Sequence, residues 1–357
     1  LSSHFLIYFF EIFPKKCIHG LLEEKEVACM QAAVLTEPGK IEIREAPTPS
    51  PRKGEVLLRI LAAGICGTDY ACYMGNLTTS YPIIPGHEAV GEIAALGEGV
   101  SGIRVGEKVV IQPNFPCTTC PVCRGGHENV CPNKVRLGLD VDGVFAQYVC
   151  VPRPYVWPLP DGLPVSVAAL AEPLSVALHA FRKSPPAPDE RVLVYGAGVI
   201  GLLLIRLAVL SKARVAAVDI AEQRLAIAKE LGADTIYPSF FELEKDAGSF
   251  STLYDTSGVA DAFSNIVTIA APGGNIVLTG LPHQEFPLLT STIVRKELTI
   301  RGSMIYTDEF PAALDLLKQG NMKIERLMTE TVPLEMLSRA LEGFRSPDRV
   351  KTLIRIP

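Results

Sequence analysis

The sequence predicts an α/β chain of two domains, one β-rich and one built on a doubly wound parallel sheet. Three observations predict it. The chain has 357 residues, more than one ordinary core organises. Up to about residue 151, short apolar runs alternate with Gly/Pro turns, the texture of strands and hairpins. From Arg191 onward, apolar strand-length and helix-length segments alternate, which is how parallel sheets are wound.

The composition is globular, with 48% hydrophobic and 20% charged residues. The net charge of −5 without a basic stripe excludes nucleic acid as an expected partner. The apolar run Phe5–Phe10 is too short to span a membrane. No positive region precedes it, so no secretion signal is read there. Lys25-Glu26-Val27 fits a purine-rich, ribosome-binding-like stretch just before Met30. Residues 1–29 are therefore expected to be non-native, the product of a misassigned start.

From Met30 the elements follow in order. Strands are expected at 31–35, 41–45, 55–63, 86–97, 107–112 and 145–151, with 113–133 an aperiodic loop. An apolar helix is expected over 166–180. After the Pro-rich 185–188 come strand 191–195, helix 199–210, strand 214–218 and helix 221–231. Strands at 252–255, 275–279 and 298–301 continue the pattern, with helical stretches between some of them. Helices 310–319 and 334–345 and a closing strand 351–356 end the chain. The expected division is 30–180 with 310–357 as one domain and 181–309 as the nucleotide-binding one.

Gly196-Ala197-Gly198-Val199-Ile200-Gly201 fits G-x-G-x-x-G between a strand and a helix. Gly196 permits the tight turn, Gly198 lets the backbone approach a pyrophosphate, and Gly201 lets helix and strand pack closely. The helix N-terminus offers free N–H groups to the phosphates. Asp219 lies 23 residues after Gly196 at the end of the next strand. A carboxylate there accepts ribose hydroxyls and repels a 2′-phosphate, which favours NAD over NADP. Arg224 would reverse this preference if it reached the ribose.

Four of the nine cysteines, Cys117, Cys120, Cys123 and Cys131, follow C-x2-C-x2-C-x7-C. Such a cluster reads as metal binding rather than a disulfide framework. Four thiolates suit one tetrahedral zinc, a closed and therefore structural site. An iron–sulfur cluster is the competing metal. His127 lies within the loop and is read as exposed, because four cysteines suffice.

Cys66 sits in Gly64-Ile65-Cys66-Gly67-Thr68-Asp69, His87 and Glu88 in Pro85-Gly86-His87-Glu88, and Glu172 in Ala171-Glu172-Pro173-Leu174. None is diagnostic singly. Together with the cysteine loop and the glycine turn, in this order from Met30 to Pro357, they resemble the zinc-containing medium-chain dehydrogenases, closest to the sorbitol and polyol dehydrogenase branch.

The resemblance implies a GroES-like catalytic domain and a Rossmann domain with the active site between them. It implies two zinc ions, one catalytic and one structural, and NAD. Cys66 and His87 then bind the catalytic zinc, with Glu88 a third ligand or alternating with water. Glu172 ligates zinc or holds its water, and Asp69 orients His87. Thr68 takes the hydroxyl proton. Thr279-Gly280-Leu281 and Ser303-Met304-Ile305 border the nicotinamide. One thiolate and two carboxylates make the site net negative, which weakens Lewis acidity.

Some family features are absent. A relay histidine is replaced by Ala71, a tyrosine by Cys72, and a polyol-binding arginine by Ile305, although Tyr306 remains. The expected reaction is hydride transfer from a secondary alcohol (a polyol, sugar acid or cyclitol) to NAD. Alternatives are a threonine-dehydrogenase-like activity on an amino alcohol, or a zinc- and NAD-binding sensor or structural subunit without turnover. A cytoplasmic dimer or tetramer is expected. His179 is read as a packed helix residue and Trp157 as core, and the spacing of Cys17, Cys29 and Cys150 places them in no motif.

Overall fold

The structure, a computed structural model, describes residues 28–357 apart from 283, 284 and 286. The expectation for residues 1–29 thus falls almost wholly outside the described residues, as does Cys17. Cys29, at its end, opens the first strand.

Strands β1 (Cys29–Glu37) and β2 (Lys40–Pro47) form an antiparallel hairpin. A second sheet contains β3 (Glu55–Gly64), β4 (Glu88–Leu96) and β5 (Lys108–Ile111). The short pair β6 (Asn114–Phe115) and β7 (Val135–Arg136) brackets the cysteine loop. The second sheet resumes with β8 (Tyr148–Pro152) and β9 (Val156–Pro158).

Parallel strands β10 (Arg191–Tyr195), β11 (Arg214–Val218), β12 (Thr235–Tyr237), β13 (Phe250–Asp255), β14 (Ala270–Leu278) and β15 (Thr299–Gly302) build a third sheet. Its order is β12-β11-β10-β13-β14-β15. Ligands of such sheets bind at the carboxyl ends, where the order reverses, here between β10 and β13. The last strands, β16 (Met328–Pro333) and β17 (Lys351–Arg355), return to the second sheet, where β17 pairs with β3. That return places the C-terminal strand against the strand leading to Cys66.

Val90, Val110 and Leu353 of the second sheet share one core with Val192 and Val194 of the parallel sheet. Leu58, Ile60, Phe145 and Ile354 belong to the core of the β-rich part. The helix Val199–Leu210 is buried on most sides, which its unbroken apolar sequence requires. It packs between the parallel sheet and the helix Ala171–Lys183.

Three expectations are corrected. The 166–180 segment is two helices, Val165–Ala168 and Ala171–Lys183, because the chain turns at Leu170 before Pro173 enters the first turn of the second helix. The 113–133 loop contains β6, a turn of α-helix at Pro121–Arg124 and a 3-10 turn at Glu128–Val130. The 334–345 segment is a 3-10 turn followed by the shorter helix Leu337–Glu342. Strands β12 and β16 are short or exposed, so apolar periodicity did not mark them.

Candidate active site

Strand β3 ends at Gly64, and Cys66 then caps the helix Gly67–Tyr73, which carries Thr68 and Asp69. Asp69 is buried, and its Oδ2 accepts the Cys66 N–H at 2.8 Å. Its Oδ1 lies 3.2 Å from His87 Nδ1. One carboxylate therefore touches both the Cys66 backbone and the His87 ring. It leaves His87 Nε2 for another partner, as in carboxylate–histidine–metal triads.

His87 and Glu88 lead into β4, whose Glu88 pairs with Gly64. A Cβ at Gly64 would collide with the Glu88 carboxylate, so only glycine fits there. At Gly86, φ is +96° and a Cβ would meet the Phe145 ring at 2.8 Å, which fixes glycine before His87. Ligand atoms of Cys66, His87 and Glu88 lie within 4.8 Å of one another. A thiol, an imidazole and a carboxylate at this spacing fit a single zinc ion.

Glu172 is buried in the first turn of the helix Ala171–Lys183 and lies outside that three-residue cluster. Burial, followed by the nearby Glu88 carboxylate, pushes the Glu172 carboxyl up to about 7. Buried Tyr306 lies against Glu172, and the Asn114 amide donates to its hydroxyl at 2.8 Å. Ile305 has φ +41°, a left-handed turn that swings the chain so that Tyr306 faces inward.

Sequence reasoning missed Lys351. Its Nζ donates to Glu88 at 2.6 and 2.8 Å and to the Ile65 carbonyl at 2.9 Å, and both side chains are 1% exposed. The two residues stand 263 positions apart, and a lysine opening a strand reads as a solvated end. Asn114 was missed for the same reason, being one polar residue in a polar loop.

In the cysteine loop, four Sγ–Sγ distances lie between 3.5 and 4.0 Å, and all four atoms lie within 4.8 Å of one another. Tetrahedral zinc with Zn–S near ~2.3 Å has sulfur–sulfur edges of about 3.8 Å. The four thiols fit one ion, whereas an iron–sulfur cube would force them apart. Backbone N–H groups of Thr119 and Cys120 pull the Cys117 thiol down, while burial pushes the Cys123 thiol up. His127 is exposed, while buried His179 contacts Glu309 at 2.9 Å. Trp157 is half-buried rather than core, and its Nε1 donates to Gln112 at 2.9 Å.

Gly196 has φ +97°, and a Cβ at Gly201 would collide with the Gly196 carbonyl. A Cβ at Gly198 would meet nothing within 4 Å, so that glycine faces open space where Val199 and Ile200 start the helix. Thr279-Gly280-Leu281 and Ser303-Met304-Ile305 follow β14 and β15 at the same sheet end. Asp219 accepts N–H groups from Ala197 at 2.7 Å and Ala221 at 2.8 Å, so it braces the glycine turn. Arg224 donates to the carbonyls of Ser346 and Arg349 at 3.3 and 3.1 Å.

Comparison with known proteins agrees along most of the chain. The family model described as Alcohol dehydrogenase GroES-like domain matches residues 52–161, and the one described as Zinc-binding dehydrogenase matches 199–319. The starvation-sensing protein RspB of Escherichia coli is 34% identical, over 90% of this chain and 97% of that protein. Sorbitol dehydrogenase of Bacillus subtilis is 32% identical, over 88% and 93%. Among solved structures, a zinc-binding dehydrogenase from Sinorhizobium meliloti bound to NADP superposes with a TM-score of 0.89. It is 29% identical, with 92% of this chain and 99% of that one covered.

Proposed function

From the premise that this chain belongs to the zinc-dependent medium-chain alcohol dehydrogenases, polyol-dehydrogenase branch, we propose that its active site lies at Cys66, His87, Glu88 and Glu172 and works with NAD. The enzyme is a zinc-type oxidoreductase that moves hydride between a secondary alcohol and a nicotinamide nucleotide. The observation that carries the site assignment is the convergence of Cys66, His87 and Glu88 within 4.8 Å beside the helix bearing Thr68.

Zinc supplies Lewis acidity when bound, lowering the pKa of a coordinated hydroxyl, and the nicotinamide accepts the hydride. Cys66 and His87 hold the metal, and Asp69 fixes both. Thr68 is half-buried on the same turn and takes the hydroxyl proton. Because Ala71 offers no relay, the proton leaves by solvent or by Glu172. Glu172, buried beside Tyr306 and the Glu88 carboxylate, suits such a transfer. Tyr306 and Asn114 form the polar wall that orients the substrate.

A structural zinc in the four-cysteine loop, NAD rather than NADP, and a homo-oligomer (dimer or tetramer) complete the reading. Asp219 at the end of β11 supports NAD, since its charge disfavours a 2′-phosphate. No helix among the described residues is long and apolar enough to cross a membrane.

The deciding experiment measures metal per subunit in the native protein and in Cys66→Ser, with nucleotide-dependent oxidation of a polyol and sugar-acid panel. Two zinc ions falling to one, with activity lost, supports both sites. One zinc in both proteins leaves only the cysteine loop as a metal site.

A further inference from the structure

Lys351 is the most deeply buried cation near the candidate active site, and nothing above gives it a role beyond its contacts. Its ammonium has three protons and three acceptors, namely both Glu88 oxygens and the Ile65 carbonyl. Ile65 immediately precedes Cys66, and Glu88 immediately follows His87. Lys351 therefore grips the chain beside each of two candidate zinc ligands. Its own strand, β17, pairs with the end of β3 through Leu353 and Gly64, which makes the anchor rigid.

A buried lysine carries a large desolvation cost, which only full pairing offsets. Packing alone would be served by an apolar side chain of similar length. The charge has a specific consequence instead. Lys351 sets one positive charge directly against the Glu88 carboxylate, which reduces the negative charge facing the metal position. Each Glu88 oxygen accepts from Lys351, so the carboxylate is held toward the ammonium.

We propose that Lys351 is a positioning residue that holds the Glu88 carboxylate in reserve beside the metal position, keeping one coordination place open for the alcohol. The proposal rests on the assignment of Cys66 and His87 as ligands. When Lys351 is absent, Glu88 is free to move onto the metal and occupy that place.

The test uses the full-length protein with cobalt exchanged into the catalytic position, read by visible absorption while azide is titrated as an exogenous ligand. Lys351→Met is expected to shift the cobalt spectrum and weaken azide binding about tenfold or more. Lys351→Arg, which keeps the charge and the donors, should retain most azide binding. Glu88→Gln/Lys351→Met removes both charges together, so it escapes the cost of an unpaired buried carboxylate and should bind azide again. Azide binding unchanged in Lys351→Met overturns the proposal. If that variant does not fold, a double variant as weak in azide binding as metal-blocked protein overturns it, because no Glu88 remains to close the site. Absence of any cobalt signal dependent on Cys66 in the parent protein refutes the ligand assignment itself.

Discussion

Asp69 shows how one residue can organise a site without touching the substrate. It accepts the Cys66 N–H and approaches the His87 ring, so removing it frees both. Asp69→Ala is expected to lower retention of the catalytic zinc about 10–100-fold, measured by competition with a chromogenic chelator. Zinc held as tightly as in the parent would show that Asp69 only caps its helix. Gly198 and Gly201 give a paired contrast. Gly198→Val should leave the melting temperature close to the parent's but abolish NADH binding by fluorescence titration, since its side chain enters space the fold leaves open. Gly201→Val should unfold the protein first, because its Cβ meets the Gly196 backbone. At this scale the sequence was most legible where residues act in a short run. The glycine turn, the four cysteines and Cys66-Gly67-Thr68-Asp69 each reveal themselves by spacing. Lys351 and Asn114 did not, because their partners lie far along the chain.

At the scale of elements, the helix Ala171–Lys183 joins the site to the helix Glu309–Lys318. His179 contacts Glu309 at the start of the helix Glu309–Lys318, Arg182 lies 3.2 Å from the same carboxylate, and Glu309 accepts the Thr307 N–H. Burial opposes the Glu309 charge, but these partners, His179 foremost, pull the carboxyl down to about 2 from an ordinary 4.5. The folded-state pKa is depressed, so the stabilisation is present above about 4.5 and is lost as pH falls toward about 2. Glu309→Gln should therefore lower the urea midpoint at pH 7, with the difference from the parent shrinking as the pH falls through that window. An equal difference at all pH values would assign the effect to packing. The cysteine loop behaves as an element of its own. Asn129, within it, donates to the Met304 carbonyl at 2.8 Å and so ties the loop to the turn that delivers Tyr306. Cys120→Ser should release one zinc and make 113–134 the first site of limited proteolysis. Protection of that stretch in the variant would mean that the loop orders itself without metal.

At the scale of the molecule, the parallel-sheet part is tied to the C-terminal segment before β17 by Arg224, whose guanidinium meets the carbonyls of Ser346 and Arg349. Arg224→Ala should lower unfolding stability by about 1–2 kcal/mol, read as a shift in denaturant midpoint at constant slope. If NADPH then gains on NADH, or loses to it, Arg224 also takes part in selecting the nucleotide. The sequence by itself determined the fold class, the strand–turn–helix that suits a dinucleotide, the four-cysteine loop and the identity of most candidate ligands. These rest on local periodicity and close spacing, which a chain displays before it folds. Only the tertiary structure decided that β17 returns to β3, that Lys351 meets Glu88, that Arg224 faces Ser346 and Arg349, and that Tyr306 meets Asn114. The hydrogen bonds among these contacts join residues 122 to 263 positions apart. Their energies come from burial and pairing in three dimensions, and no local pattern in the sequence encodes them.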